Sequence, residues 1–235
     1  MNNNNVKITE CPRDAMQGMH DFIPTQTKID YINSLLKVGF DTIDAGSFVS
    51  PKAIPQLKDT AEVFSKLDLS GSSSKILAIV ANLRGAQDAA AFELVNYLGY
   101  PFSISETFQL RNTNATIAQS LDRVKEIQDV CVKNKKELLI YISMAFGNPY
   151  GDPWNSDIAI EWTEKLSQLG IKSFAMADTV GVSTPENISY LFSKLIPKFS
   201  ELKIGAHLHS RPEASFEKIR AAYDSGCRNF DAAVK

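Results

Sequence analysis

The sequence predicts an α/β fold, a (β/α)8 TIM barrel truncated after its eighth strand. Three observations carry that prediction. Eight short β-rich runs alternate with seven amphipathic helical runs through the 235 residues. Parallel strands joined by right-handed helical crossovers form either an open doubly wound sheet or a closed barrel, and eight repeats favour the barrel. The polar, chemistry-bearing residues gather just after the strands, the end at which such barrels build their sites.

The elements follow in order. VKITEC (6–11) reads as the first strand. TKIDYINSLLKVG then places Ile29, Ile32, Leu35 and Leu36 on one helical face and stops at Gly39. DTIDAG (41–46) is the second strand, and IPQLKDTAEVFSKL a helix with Pro55 near its start. KILAIVAN (75–82) is an uninterrupted apolar strand, as one covered on both faces should be. RGAQDAAAFELVNYLG is expected to be helical as far as Gly99, and PFSISETF (101–108) to be the fourth strand. A helix capped by Thr116 follows, then ELLIYISMAF (137–146) as the fifth strand. The next helix is expected to be capped by Ser156 or Asp157 and to end at Gly170. KSFAMADT (172–179) is the sixth strand, with Pro185 in the first turn of its helix. LKIGAHLHS (202–210) is the seventh, PEASFEKIRAAYDSG its helix, and RNFDAAV (228–234) the eighth. No linker or composition break interrupts residues 6–235, so they are read as a single domain. Residues 1–5, with four asparagines, are read as a disordered polar tail.

Composition narrows the function. Lys and Arg number 25 against 27 Asp and Glu, and no basic stripe appears, so a nucleic-acid surface is not expected. No apolar run is long enough to span a membrane, and the start carries no apolar signal core, so a cytoplasmic protein is expected. Cys11, Cys131 and Cys227 are widely spaced and odd in number, which suits a reducing compartment and small buried hydrophobes. There is no nucleophile elbow, P-loop or dinucleotide fingerprint.

The strand ends hold the chemistry. In HLH, His207 and His209 project to one side of a strand, because strand side chains repeat with period two. They are either two ligands of one ion or two polar residues that happen to lie close. Asp14, after the first strand, is the natural third ligand. Two imidazoles and one carboxylate suit Mn, Fe, Co or Zn, and can hold Mg where substrate oxygens help. Arg13 stands beside Asp14, where a guanidinium can hold an enolate or a carboxylate. Its other reading is a structural ion pair with Asp44 or Glu106. Asp44 could orient Arg13 or a ligand-bound water. Asp178, Thr179 and Thr184 could equally cap the sixth helix. His20 reads as a surface loop residue, and Trp154 and Trp162 as packing residues.

ECPRDAMQ, IDAGSFVSPKAIPQ, AFGNPYGDP, ADTVGVSTP and GAHLHS together resemble the 3-hydroxy-3-methylglutaryl-CoA lyases, within the DRE-TIM metallolyase superfamily. The resemblance runs from about Ile8 to the C-terminus. SFVSPK-x-x-PQ and the NPY segment are the lyase-specific parts; the metal motif alone also fits isopropylmalate and homocitrate synthases. The resemblance implies cleavage of 3-hydroxy-3-methylglutaryl-CoA to acetyl-CoA and acetoacetate with Mg or Mn. It assigns Asp14, His207 and His209 to the metal, and Arg13 to the enolate of the departing acetyl-CoA. Asp44 takes the place of a catalytic-site glutamate, and Asp178 that of an aspartate at the sixth strand. Gln17 and Ser47 join Arg13 on the substrate side, and His209 also serves as a proton shuttle. A homodimer is implied as well.

Departures from the pattern are equally specific. Ser210 stands where the family has Asp, Asp44 where it has Glu, and RDA where it has RDG. The resemblance places a cysteine-bearing glycine-rich loop and an asparagine ligand past the eighth strand. With both beyond Lys235, a weakly active or inactive chain is expected. A condensing relative acting on acetyl-CoA and a 2-oxo acid is the first alternative. A metal-binding barrel without catalytic activity is the second.

Overall fold

The structure, a computed structural model, describes residues 5–234; most of the tail read as disordered therefore lies outside the described residues. Eight parallel strands close in sequence order, with β8 returning to β1. They are β1 (Lys7–Glu10), β2 (Thr42–Ser47), β3 (Lys75–Ile79), β4 (Val95–Ser103), β5 (Glu137–Ser143), β6 (Ser173–Asp178), β7 (Lys203–Leu208) and β8 (Asn229–Ala232). The helices are α1 (Pro12–Gln17), α2 (Thr25–Leu36), α3 (Thr60–Ser65), α4 (Leu83–Ala90), α5 (Glu106–Thr113), α6 (Ile117–Lys133), α7 (Ser156–Ser167), α8 (Pro185–Lys198) and α9 (Pro212–Asp224). This is the TIM barrel that the alternation predicts.

Two apolar layers hold it together. The larger lies between the strands' outer faces and the helices, and contains Ile32, Leu98, Phe102, Ile127, Phe174 and Phe192, all buried. The smaller fills the barrel with Leu77, Ile79, Tyr97, Tyr141 and Ala175. Period-two alternation explains the split: within β5, Ile140 and Ile142 face the helices while Tyr141 faces the barrel axis. Trp162 packs against Phe102 at 5.0 Å, the structural role expected of it.

Several helix starts match the sequence. Thr116 and Thr184 each close a capping box, accepting from the backbone N–H groups of Gln119 and Asn187. The start of α7 differs: Asn155 caps it, accepting from Ile158 N, rather than Ser156 or Asp157. The β3–β4 region differs more. The expected long helix ends at Ala90, and Val95–Ser103 is strand. Gly99 is therefore not a helix stop. It sits inside the barrel, where an added Cβ would lie 2.5 Å from Ile79 Cδ1 and 3.1 Å from Tyr141 Cε2. The inward side chains of Ile79, Leu77 and Tyr141, not chain termination, occupy the space that a side chain there would need. The segment expected to finish that strand is instead α5, with Ser105 as its cap.

The segment directly after β1 is α1, a short helix begun by Pro12. It carries Arg13, Asp14 and Gln17 over the barrel mouth. Around the outer face of β8 and β1, Ile8, Phe216, Ile219 and Phe230 line an apolar groove of about 550 Å³. Among the described residues, no helix is long and apolar enough to cross a membrane.

Candidate metal centre and active site

The carboxyl ends of the strands surround a cavity of about 450 Å³. Arg13, Asp14, Gln17, Tyr141, His207 and His209 are among its walls. His207 is the last inward residue of β7. His209 lies just past the strand and turns back to the same side, so the rings meet with centroids 5.0 Å apart. Their Nε2 atoms are 3.2 Å apart. Asp14 Oδ2 lies 3.7 Å from His207 Nε2 and 3.9 Å from His209 Nε2. Three ligand-type atoms from α1, β7 and the following loop thus converge on one point, and these residues form a group that could hold a metal ion.

Two further observations fit a divalent cation here. His209 Nδ1 lies 3.0 Å from the Thr179 carbonyl, which can only accept, so the ring's proton sits on Nδ1 and its Nε2 lone pair faces the centre. Asp14 and Asp44 both accept from Arg13, and Asp231 lies behind His207, so three carboxylates border the site against one guanidinium, a charge balance that suits a divalent ion. Electrostatics follow the same geometry. Contact with His209, then with Arg13 and His207, holds the Asp14 carboxyl well below the usual carboxylate range. Asp14 in turn raises His209, against the effect of burial.

Arg13 is buried and nearly saturated. Nε donates to both Asp44 oxygens at 3.0 and 3.2 Å, and Nη2 to Asp44 Oδ2 at 2.6 Å. Nη1 donates to Asp14 Oδ1 at 3.0 Å and Gln17 Oε1 at 2.9 Å. Of the five N–H groups of a guanidinium, one on Nη2 is left over. The choice between Asp44 and Glu106 is thereby decided, since Glu106 instead accepts from Ile117 N. Asp44 is fully buried behind Arg13, and burial pushes its carboxyl up to about 6 against the pull of the guanidinium.

Asp178 and Ser47 stand back from the cavity. Asp178 is buried at the end of β6, where Ser183 Oγ donates to it at 2.5 Å and Lys218 Nζ at 3.0 Å. Lys218, on α9, also reaches the carbonyls of Gly181 and His209. This knot fixes the loops after β6 and β7, and so the backbone that carries His209. Ser47 Oγ accepts from Val49 N and lines a neighbouring cleft with Asn82 and Lys58. His20 is fully exposed. Thr184 caps α8, and Thr179 contributes its carbonyl to His209 and its Oγ1 to Met144 N.

Sequence reading passed over Asp231, Tyr141 and Lys218. Asp231 Oδ2 lies 2.9 Å from His207 Nδ1. Tyr141 packs edge-on to His207 at 5.4 Å, and its buried hydroxyl has no partner within the protein. The signals were an acid within a short strand, a tyrosine at an inward strand position, and a lysine on the inner face of an amphipathic helix. The three cysteines are free and buried. Burial raises the Cys11 thiol well above its ordinary value, and the Cys131 and Cys227 thiols to about 12, which suits packing rather than nucleophilic roles.

A closed parallel barrel with a His–His–Asp cluster and a buried arginine at its carboxyl mouth has the architecture of a metal-dependent TIM-barrel enzyme. The HMGL-like family model matches residues 5–235, and the chain belongs to that family. It is 30% identical to the hydroxymethylglutaryl-CoA lyase YngG of Bacillus subtilis, over 97% of this chain and 76% of that protein. A solved HMG-CoA lyase from Acinetobacter baumannii, in complex with coenzyme A and 3-methylmalate, superposes with a TM-score of 0.91 at 33% identity, covering 98% of this chain and 75% of that one. The Brucella melitensis HMG-CoA lyase gives 0.90 at 30% identity, covering 97% and 81%.

Proposed function

We propose that this protein is a divalent-metal-dependent carbon–carbon lyase that cleaves 3-hydroxy-3-methylglutaryl-CoA to acetyl-CoA and acetoacetate. The observation that carries the reading is the convergence of Asp14, His207 and His209 beside a buried Arg13 in a barrel of the HMGL-like family. The relatives named above carry the substrate assignment.

Asp14, His207 and His209 would hold Mg or Mn. When bound, the ion supplies Lewis-acid polarisation of substrate oxygens. The remaining work falls to the chain's own groups. The cleavage needs the tertiary hydroxyl proton removed and the enolate of the leaving acetyl-CoA stabilised. Arg13 offers its unused Nη2–H to that oxyanion, and Asp44 clamps the guanidinium so that no reorganisation is needed as charge develops. Gln17 holds Nη1 from the substrate side. His209 has the more open ring, with its side chain 48% exposed against 14% for His207, so of the two it is the imidazole whose Nε2, when off the ion, can exchange a proton with substrate. Tyr141 packs against His207 and lines the cavity, while its hydroxyl is enclosed, so its part is to shape the wall beside the metal ligands. Asp178 acts through the Lys218 knot by holding the His209 backbone, and Ser47 from the neighbouring cleft beside the cavity wall at Val49.

Residues 6–235 as one lyase domain, a homodimer, and a cytoplasmic location consistent with three free cysteines belong to the same proposal. The test is product analysis. With Mg or Mn, 3-hydroxy-3-methylglutaryl-CoA should yield acetoacetate, even if slowly, and EDTA should stop it. Free CoA from acetyl-CoA and a 2-oxo acid would point to a condensing enzyme instead. No product from either at high enzyme concentration would favour a non-catalytic barrel.

A further inference from the structure

We infer that Asp231 is a positioning residue that selects the metal-binding tautomer of His207. Its Oδ2 lies 2.9 Å from His207 Nδ1. An ionised carboxylate only accepts, so Nδ1 carries the ring proton and Nε2 presents a lone pair. That Nε2 is the atom facing His209 Nε2 at 3.2 Å and Asp14 Oδ2 at 3.7 Å. His209 is set the same way by the Thr179 carbonyl. Two lone pairs and a carboxylate oxygen meeting at one point repel unless a cation lies among them. The protein thus enforces from behind an arrangement that a cation at the centre relieves, whether a metal ion or a proton on His209 Nε2.

The fold makes this specific. Asp231 is on β8 and His207 on β7, paired parallel with Gly205 opposite Asn229 and Ala206 opposite Phe230. Inward positions alternate, so Asn229 and Asp231 face the barrel axis beside Gly205 and His207. Gly205 has its Cβ position only 3.3 Å from Asn229, which lets the two strands approach closely at that level. Tyr141, edge-on to the His207 ring, closes another side. The ring is held by one hydrogen bond and by edge-on contacts with Tyr141 and His209, and Asp231 is the group that decides which nitrogen is free. A carboxylate behind a ligating imidazole also increases its basicity, and losing such a partner typically lowers metal affinity about 10- to 100-fold.

This inference rests on the metal reading above, but its test separates the two. The parent chain, Asp231→Asn and Asp231→Leu, each labelled with 15N at histidine, would be compared metal-free by NMR and then titrated with Mn2+ by calorimetry. The parent should show His207 protonated at Nδ1. Asp231→Leu should shift it toward the Nε2–H form and weaken Mn2+ binding about 10- to 100-fold. Asp231→Asn, which keeps an acceptor, should fall between and serves if the leucine variant fails to fold. An Nε2–H tautomer in the parent, or an unchanged tautomer and affinity in the folded variants, would overturn the role of Asp231. If the parent binds no Mn2+, the metal reading fails and the tautomer measurement alone decides the role of Asp231.

Discussion

Arg13 and Asp44 form a fork-to-carboxylate pair 31 residues apart in sequence, with Nη2 2.6 Å from Oδ2 and both side chains buried. It links the short helix after β1 to the second strand, and it aims the guanidinium at the cavity. Arg13→Lys keeps the charge but loses the planar fork. Activity on 3-hydroxy-3-methylglutaryl-CoA should fall by about 100-fold or more, mainly in kcat, since the lost donors act on charge that develops during cleavage. Steady-state kinetics of the folded variant checks this; a change confined to KM would assign Arg13 to substrate binding alone.

Lys218 and Asp178 form a second buried pair, at 3.0 Å. Lys218→Met leaves the Asp178 carboxylate without its cation. Removing one partner of such a pair costs about 3–5 kcal/mol, measurable by urea unfolding. Adding Asp178→Asn should recover part of the loss, because the unpaired charge is then gone. Simple additivity of the two changes would deny the coupling.

Glu10 ends β1 and is buried. Val234 N donates to its Oε1 at 2.9 Å, while Oε2 has no partner. Burial raises its carboxyl above the ordinary value of 4.5. The unfolded chain therefore releases this proton at lower pH than the native one, and binds fewer protons between the two values. Stability from this group is full below about 4.5 and is lost as pH rises through the native value. Glu10→Gln keeps an acceptor for Val234 N and carries no charge. It should raise Tm at pH 7 relative to the parent, and the gain should vanish near pH 4. Equal shifts at both pH values would refute the burial effect.

Gly99 on β4 faces the side chains of Leu77 and Ile79 on β3 and of Tyr141 on β5. Gly99→Ala would press a methyl group to 2.5 Å from Ile79 Cδ1. Overpacking of this kind costs about 1–3 kcal/mol, so thermal melting should show a lowered Tm. An unchanged Tm would mean that the interior has slack the contacts do not show.

The barrel itself was legible in the sequence because alternation of β-rich and helical runs reports burial directly. The pairing of Asp14 with HLH was legible too, since barrel topology puts the ends of β1 and β7 on the same rim. What was not legible depended on tertiary packing. Val95–Ser103 followed an alanine-rich run that favours helix, and only barrel closure makes Gly99 a strand residue. Asp231, Tyr141 and Lys218 looked like ordinary members of their elements, and their roles exist only through partners 24, 66 and 40 residues away along the chain. Asp44 was ambiguous for the same reason: whether it faces substrate or clamps Arg13 depends on a contact across two elements.

The most direct test of the central claim is Mn2+ titration by calorimetry of the parent chain beside Asp14→Ala and His207→Ala. The parent should show one site, and both variants should lose affinity while staying folded. No binding by the parent, or binding unaffected by either substitution, would contradict it.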